Sequence, residues 1–149
     1  MAKLIETNLY RNPVTMTIDP KTAKLSLHGI QLSGGVSIEA LRALNESEFQ
    51  KPIISNGTFQ TYRLSNPEAA LHLIFKNGNL WQVRIALIVQ ADAQGQFSEL
   101  GERERHSLHE RVLTNAIGAT KMLCQNGSMI ELCFDERSLN SMIVVTYPL

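Results

Sequence analysis

Two histidines three residues apart, His106 and His109, stand in the charged run GERERHSLHER. On a helix that spacing puts both imidazoles on one face, close enough to share a metal ion. No HExxH or Glu-x-x-His pattern accompanies them and their neighbours are solvent-seeking, so exposed helix histidines are expected, and no metal. His28 and His72 fall on separate strands, where only the tertiary fold could bring another ligand. Cys124 and Cys133 lack Cys-x-x-Cys spacing, which argues against zinc. The sequence has no G-x-S-x-G elbow, P-loop or G-x-G-x-x-G. Asp19, Asp92 and Asp135 sit in turn-like contexts, where a carboxylate ordinarily accepts from the local backbone. Gly34-Gly35 has the makings of an anion-binding nest before a helix. No lysine or motif spacing supports that, and a loop-to-helix turn is expected. The interleaved signs of the GERERHSLHER run fit a salt-bridged, exposed helix face better than a nucleic-acid patch. Trp81 could stack on a ligand, but its strand neighbours assign it to the core. The expectation is a protein with no catalytic residue, metal or cofactor, and not an enzyme.

Composition narrows the partners. Lysine plus arginine equals aspartate plus glutamate, 14 each, for a formal net charge of zero. That balance speaks against direct nucleic-acid binding, which normally brings a basic excess, and against an acidic nucleic-acid mimic. The chain reads as one domain over residues 1–149, without a repeat or linker to divide it. A domain of this length buries about 68–70% of the surface its unfolded chain exposes, so neither a disulfide nor a metal is needed. The start, MAKLIETNLYRNP, lacks an apolar core of signal-peptide length, and no run reaches the ~20 residues of a membrane helix. The expected location is cytoplasmic, with Cys124 and Cys133 as buried free thiols.

The elements that would position these residues read as hairpins and two helices. VTMTIDPKTAKLSLHGIQL alternates at Val14, Met16 and Ile18, turns at DPKT and returns through Leu25 and Leu27. Ser37 caps a short helix with Ile38, Leu41 and Leu44 on its apolar side. QKPIIS and TFQTYRL flank an Asn56-Gly57 turn. Ser98 caps a long helix whose apolar stripe is Leu108, Val112, Ala116 and Ile117, and Gly118 ends it. SMIELCF and NSMIVVTY form a closing hairpin. The predicted fold is α+β: an antiparallel sheet of hairpins with one short and one long helix on one face.

Between these lies ALHLIFKNGNLWQVRIALIV, whose register must be chosen. A two-residue loop at Asn77-Gly78, the usual choice for this dipeptide, pairs Leu73 with Gln82 and leaves both faces mixed. A three-residue loop, Lys76-Asn77-Gly78 with Gly78 left-handed, pairs Leu73 with Trp81 and Leu71 with Val83. Leu71, Leu73, Phe75, Trp81, Val83, Ile85 and Leu87 then share one dry face. Since a one-residue slip flips every side chain, burial favours the three-residue loop. The other face carries His72, Ile74, Leu80, Gln82, Arg84 and Ala86. In the closing hairpin, Ile130, Leu132, Phe134, Ile143, Val145 and Tyr147 point inward, and Glu131, Cys133, Met142, Val144 and Thr146 outward. With both helices on one side, this outer face stays open, and it is unusually apolar for a solvated face.

The C-terminal third, ERERHSLHERVLTNAIG through NGSMIELCFDERSLNSMIVVTY, resembles small bacterial immunity proteins of polymorphic-toxin and contact-dependent growth inhibition systems. A charged helix is followed by a glycine leading into a strand, an aspartate-plus-basic turn and a final Ser-x-Ile-x-x-x-Tyr strand. Gly127, Asp135, Arg137, Ser141, Ile143 and Tyr147 hold these places, with Asn126-Gly127 where Trp-Gly is common. The resemblance implies a cytosolic protein that binds and neutralises a cognate toxin domain, a nuclease in the first instance, with no active site of its own. Ile74, Leu80, Gln82, Arg84, Glu131, Met142 and Val144 are the expected partner-binding residues, an apolar centre with a polar rim. The same face would equally suit a homodimer contact. The rival readings are a secretion chaperone or adaptor that holds an extended effector segment, and an enzyme with a dispersed site.

Overall fold

The computed structural model describes residues 14–27, 29–44, 52–89, 92 and 98–149, excepting the side chain of Leu44. His28, the start through Pro13, the beginning of QKPIIS and most of the loop before the long helix lie outside the described residues. The fold is α+β. Strands β1 (Thr17–Ile18), β2 (Leu25–Leu27) and β3 (Ile30–Leu32) form a small sheet. Seven more strands form the main sheet, in order β4-β5-β6-β7-β10-β9-β8. They are β4 (Ile54–Asn56), β5 (Phe59–Ser65), β6 (Ala69–Lys76), β7 (Asn79–Leu87), β8 (Lys121–Leu123), β9 (Met129–Asp135) and β10 (Asn140–Thr146). Every pairing is antiparallel. The helices are α1 (Ile38–Leu44) and α2 (Glu99–Ile117).

Both helices start where their caps dictate. Ser37 Oγ accepts the Ala40 N–H at 3.1 Å, and Ser98 Oγ accepts the Gly101 N–H at 2.9 Å, each satisfying an orphan donor of a first turn. Gly118 closes α2 in the left-handed region, φ 76°, with its N–H on Thr114 O. α1, α2 and the small sheet all lie on one side of the main sheet, because their contacts fall on residues of a single face. Tyr147 Oη donates to Ala23 O at 2.9 Å, Arg42 reaches Tyr62, and α2 meets Ser141. Buried residues of both sheets and both helices merge into one apolar cluster. Glu68 fastens the described N-terminal segment by accepting from the Thr15 N–H and hydroxyl and the Met16 N–H. At Gly34 a Cβ would lie 2.7 Å from Tyr147, so only glycine admits that ring. The N–H of Gly35 is committed to Leu80 O. The pair is a packing turn.

The β6–β7 hairpin corrects the sequence reading. Lys76 pairs with Asn79, so the loop is the two residues Asn77 and Gly78, both at positive φ (52° and 82°), a type I′ turn. Phe75 then pairs with Leu80 and Ile74 with Gln82, which leaves Trp81 as the extra residue of a β-bulge. Beyond it Leu73 meets Val83 and Leu71 meets Ile85. The bulge removes the conflict that ruled out the short loop: it shifts the register by one residue and restores a dry face after the preferred turn. Leu80 is consequently core at 0% exposure, whereas Trp81 goes to the outer face, half-buried. The β4–β5 turn is also two residues, Gly57-Thr58, with Asn56 paired to Phe59. The closing hairpin has the expected alternation: Ile130, Ile143 and Val145 are fully buried, Tyr147 nearly so, and Leu132 and Phe134 partly.

Candidate functional site

The outer face of the main sheet is built from the alternate residues of six strands. One transverse row runs Arg63, His72, Arg84, Val144, Glu131, Lys121, each opposite the next. The row beside it runs Thr61, Ile74, Gln82, Thr146, Met129, Leu123. Near the β6–β7 turn, Trp81 packs edge-on against Phe59 with centroids 5.4 Å apart, and Lys76 Nζ lies 5.8 Å from the Phe59 centroid. Ile74 and Val144 form an apolar floor sheltered by their longer neighbours, and Met142 stands half-exposed beside them. Gln82 Nε2 donates to Thr146 Oγ1 at 3.0 Å, and Arg84 Nε donates to Gln82 Oε1 at 2.8 Å. That chain holds the Arg84 guanidinium above the floor. Burial, and then the cations Arg63 and Arg84, hold the His72 imidazole below its usual range. Burial and then Glu131 raise the Cys133 thiol, and Arg84 and Lys121 oppose that rise. Ile74, Gln82, Arg84, Glu131, Met142 and Val144 therefore share one surface, and Leu80 does not.

A second polar constellation lies under the opposite face, and it overturns the expectation for the long helix. His109 is fully buried and His106 half-buried. The stripe of α2 that meets the sheet is Glu102, Arg105, His109, Leu113 and Ile117. Leu108, Val112 and Ala116 flank it only partly buried. The cause is the sheet edge. The β7–β10 ladder stops at Ile85 opposite Ile143, and continuing it by two residues would set Leu87 opposite Ser141. The Leu87 N–H and C=O must find other partners. His109 Nε2 accepts the N–H at 3.1 Å, and Arg105 Nη1 donates to the C=O at 2.7 Å.

This assignment fixes the protons. Since Nε2 accepts, neutral His109 carries its proton on Nδ1 and donates to Ser141 Oγ at 2.8 Å. The Ser141 hydroxyl is then free to donate to His106 Nδ1 at 3.0 Å. Desolvation, then Arg105 and His106, push His109 down to about 3. Arg105 binds Asp92 through two nitrogens, at 2.7 and 2.8 Å, and also Glu102. Asp92 in turn accepts the Val89 N–H, and its carboxyl lies below the usual range chiefly through the Arg105 hydrogen bonds. Asp92 is thus more than a turn carboxylate. Asp19 and Asp135 are turn carboxylates, accepting the N–H of Lys21 and Arg137.

A cleft of about 450 Å³ opens where β7 and β10 diverge, bounded by Arg63, Asp92, Glu102, Arg105, Asn140 and Met142 among others. On its inner side Asp92, Glu102, Arg105 and Ser141 are already bound to one another or to the residues around them. All five Arg105 donors are engaged, and Ser141, 2% exposed, both accepts and donates. The constellation works as a strut, and the outer face is the better candidate for contact with another molecule. The residues that carry the C-terminal sequence pattern also serve the fold. Gly127 takes φ 90°, Ile143 and Tyr147 are core, and Ser141 is in the strut. Sequence signals for the strut existed, since Glu102, Arg105 and His109 share the 3–4 spacing of Leu113 and Ile117. Their polarity hid it. Among the described residues, no three His, Cys, Asp or Glu side chains converge as a metal site would require, and no helix is long and apolar enough to cross a membrane. The chain matches no family model, no curated protein and no solved structure.

Proposed function

We propose that the outer face of the main sheet docks a folded protein partner, and that the partner is a toxin domain, in the first instance a nuclease, which this chain neutralises in the cytosol. The toxin class rests on the resemblance of the C-terminal third to immunity proteins. The observation that carries the surface is the union of Ile74, Met142 and Val144 with Gln82, Arg84 and Glu131 on a face where no described helix or strand lies. An apolar centre with a polar rim is the anatomy of a specific interface. Inhibition by association requires no chemistry from the inhibitor, so the mutually satisfied strut poses no difficulty. The test is co-expression with the product of the adjacent large gene, scored by survival. The parent chain is expected to protect, and Met142→Glu to lose protection through a binding loss of roughly 2 kcal/mol or more. A parent that neither protects nor binds would sink the toxin reading.

One observation favours a second reading, a chaperone or adaptor for an extended segment. Edge strand β4 begins with Ile54, 60% exposed, and Ile53 just before it is 53% exposed, as strand addition would use. That reading expects Ile54→Pro to abolish partner binding while Met142→Glu leaves it intact.

A further inference from the structure

We infer that the surface recognised by the outer face is an acidic protein surface, gripped by a track of two arginines, Arg63 and Arg84, that flank His72. The inference rests on the docking face proposed above and adds the chemistry of its partner. Arg63 and Arg84 stand directly across from His72 on the two neighbouring strands. At ~4.8 Å per strand, their Cα atoms lie about 10 Å apart. Neither arginine has a carboxylate within ion-pair distance among the described residues. The carboxylates nearby are occupied or displaced. Asp92 and Glu102, which share the cleft with Arg63, are bound to Arg105. Glu131 stands on the next strand beyond Val144, opposite Lys121 in the β8–β9 ladder.

The two arginines thus stand free of carboxylate partners in the described chain, next to an apolar floor that a protein surface can cover. Arg84 is already oriented by Gln82 and Thr146, so little ordering remains to be done on binding. Carboxylates arriving at the track would meet two guanidinium groups able to bind them through charge-assisted hydrogen bonds. For a nuclease partner, the contacted surface is not the phosphate-binding groove, because that groove is itself cationic. The inhibitor then sits beside the substrate channel.

The sole tryptophan, Trp81, lies on this face, so its fluorescence reports occupancy. The purified full chain is titrated at low ionic strength with a short polyglutamate peptide, a polyglutamine peptide and an oligothymidylate of the same length. Polyglutamate is expected to bind, polyglutamine not. Arg63→Glu/Arg84→Glu is expected to weaken polyglutamate by about tenfold or more, while the matched reversal Lys21→Glu/Arg137→Glu, on two exposed turns, leaves it unchanged. Arg63→Gln/Arg84→Gln serves if the reversal fails to fold, with the same direction expected. Equal binding by parent and variant overturns the inference. So does tighter binding of oligothymidylate, which would assign the face to single-stranded nucleic acid. Failure of the docking reading looks different. If Met142→Glu loses protection in co-expression and Arg63→Glu/Arg84→Glu keeps it, the face stands and the acidic surface falls. If polyglutamate behaves as expected but Met142→Glu still protects, the track stands and the toxin-docking face falls.

Discussion

Val144 and Val145 are neighbours on β10, in the same strand and of the same type, yet they face different worlds. Val145 is sealed at 0% exposure between the sheet and the layer of helix and small sheet. Val144 is 7% exposed and sheltered only by the side chains around it. The two faces of the sheet invert the usual order. The covered face holds a buried polar network, the Arg105 and His109 strut, while the open face presents an apolar floor and arginines without a carboxylate partner among the described residues. Charge is buried where backbone groups at a strand end demanded partners. On the open face Arg63 and Arg84 have no carboxylate partner among the described residues.

That contrast can be broken most forcefully with acid. His109 is neutral in the folded state down to about pH 3, whereas in the unfolded chain it takes up its proton near 6.5. The unfolded state binds the extra proton between these values, so stability is full above pH 6.5 and falls as pH drops toward 3. At 1.36 kcal/mol per unit, the expected loss is roughly 4–5 kcal/mol. Urea denaturation across that range should record it, and His109→Gln, which keeps an acceptor for the Leu87 N–H, should flatten the curve above pH 4. Asp92, held low by Arg105, contributes with the same sign but only as pH falls below the ordinary carboxylate range.

At fixed pH, Arg105→Ala should cost about 3–5 kcal/mol, because it strands Asp92 and Glu102 as well as the Leu87 carbonyl. Arg84→Ala, the same change on the open face, should stay within about 0.5 kcal/mol. Comparable losses from both would erase the distinction between strut and track. The bulge sharpens it further. Leu80→Ala should cost about 2–5 kcal/mol as a core truncation. Trp81→Ala, larger in volume but half-exposed, should cost less than Leu80→Ala in the same denaturation experiment. The reverse order would mean that the tryptophan is the core residue of the pair. The smallest effect is electrostatic. Arg63→Gln/Arg84→Gln should raise the His72 pKa toward the ordinary imidazole value, since both cations lower it. An imidazole proton-shift titration would show this, and an unmoved value would leave burial as the sole cause.

Much of this architecture was readable along the chain. The alternation of MIELCFD and NSMIVVTY assigned each residue of the closing hairpin to its face, because side chains in a strand alternate whatever the strand pairs with. Ser98 and Gly118 marked the ends of the long helix because caps act on their own turn. The fold class followed from hairpins and two helices. What misled was the assumption of an unbroken register. An unbroken register puts Leu80 outward and Trp81 inward, since without a bulge only a three-residue turn keeps the face dry.

Local periodicity and caps act within a few residues, and those the sequence determined by itself: the hairpin strands around β6–β7 and β9–β10, where α2 begins and ends, and how β9 and β10 alternate; β8 (Lys121–Leu123) carries no such pattern. Three matters were decided only by the tertiary structure. The bulge at Trp81 reflects cross-strand pairing on both sides of β7, which no window of β7 contains. The burial of His109 and Arg105 depends on Leu87, Asp92 and Ser141, brought from a strand end, a loop and another strand. Charged groups leave water only when such partners are in place, so a polar helix stripe reads as exposed until its partners are known. The track of Arg63, His72 and Arg84 likewise arises from three strands whose order only the assembled sheet fixes.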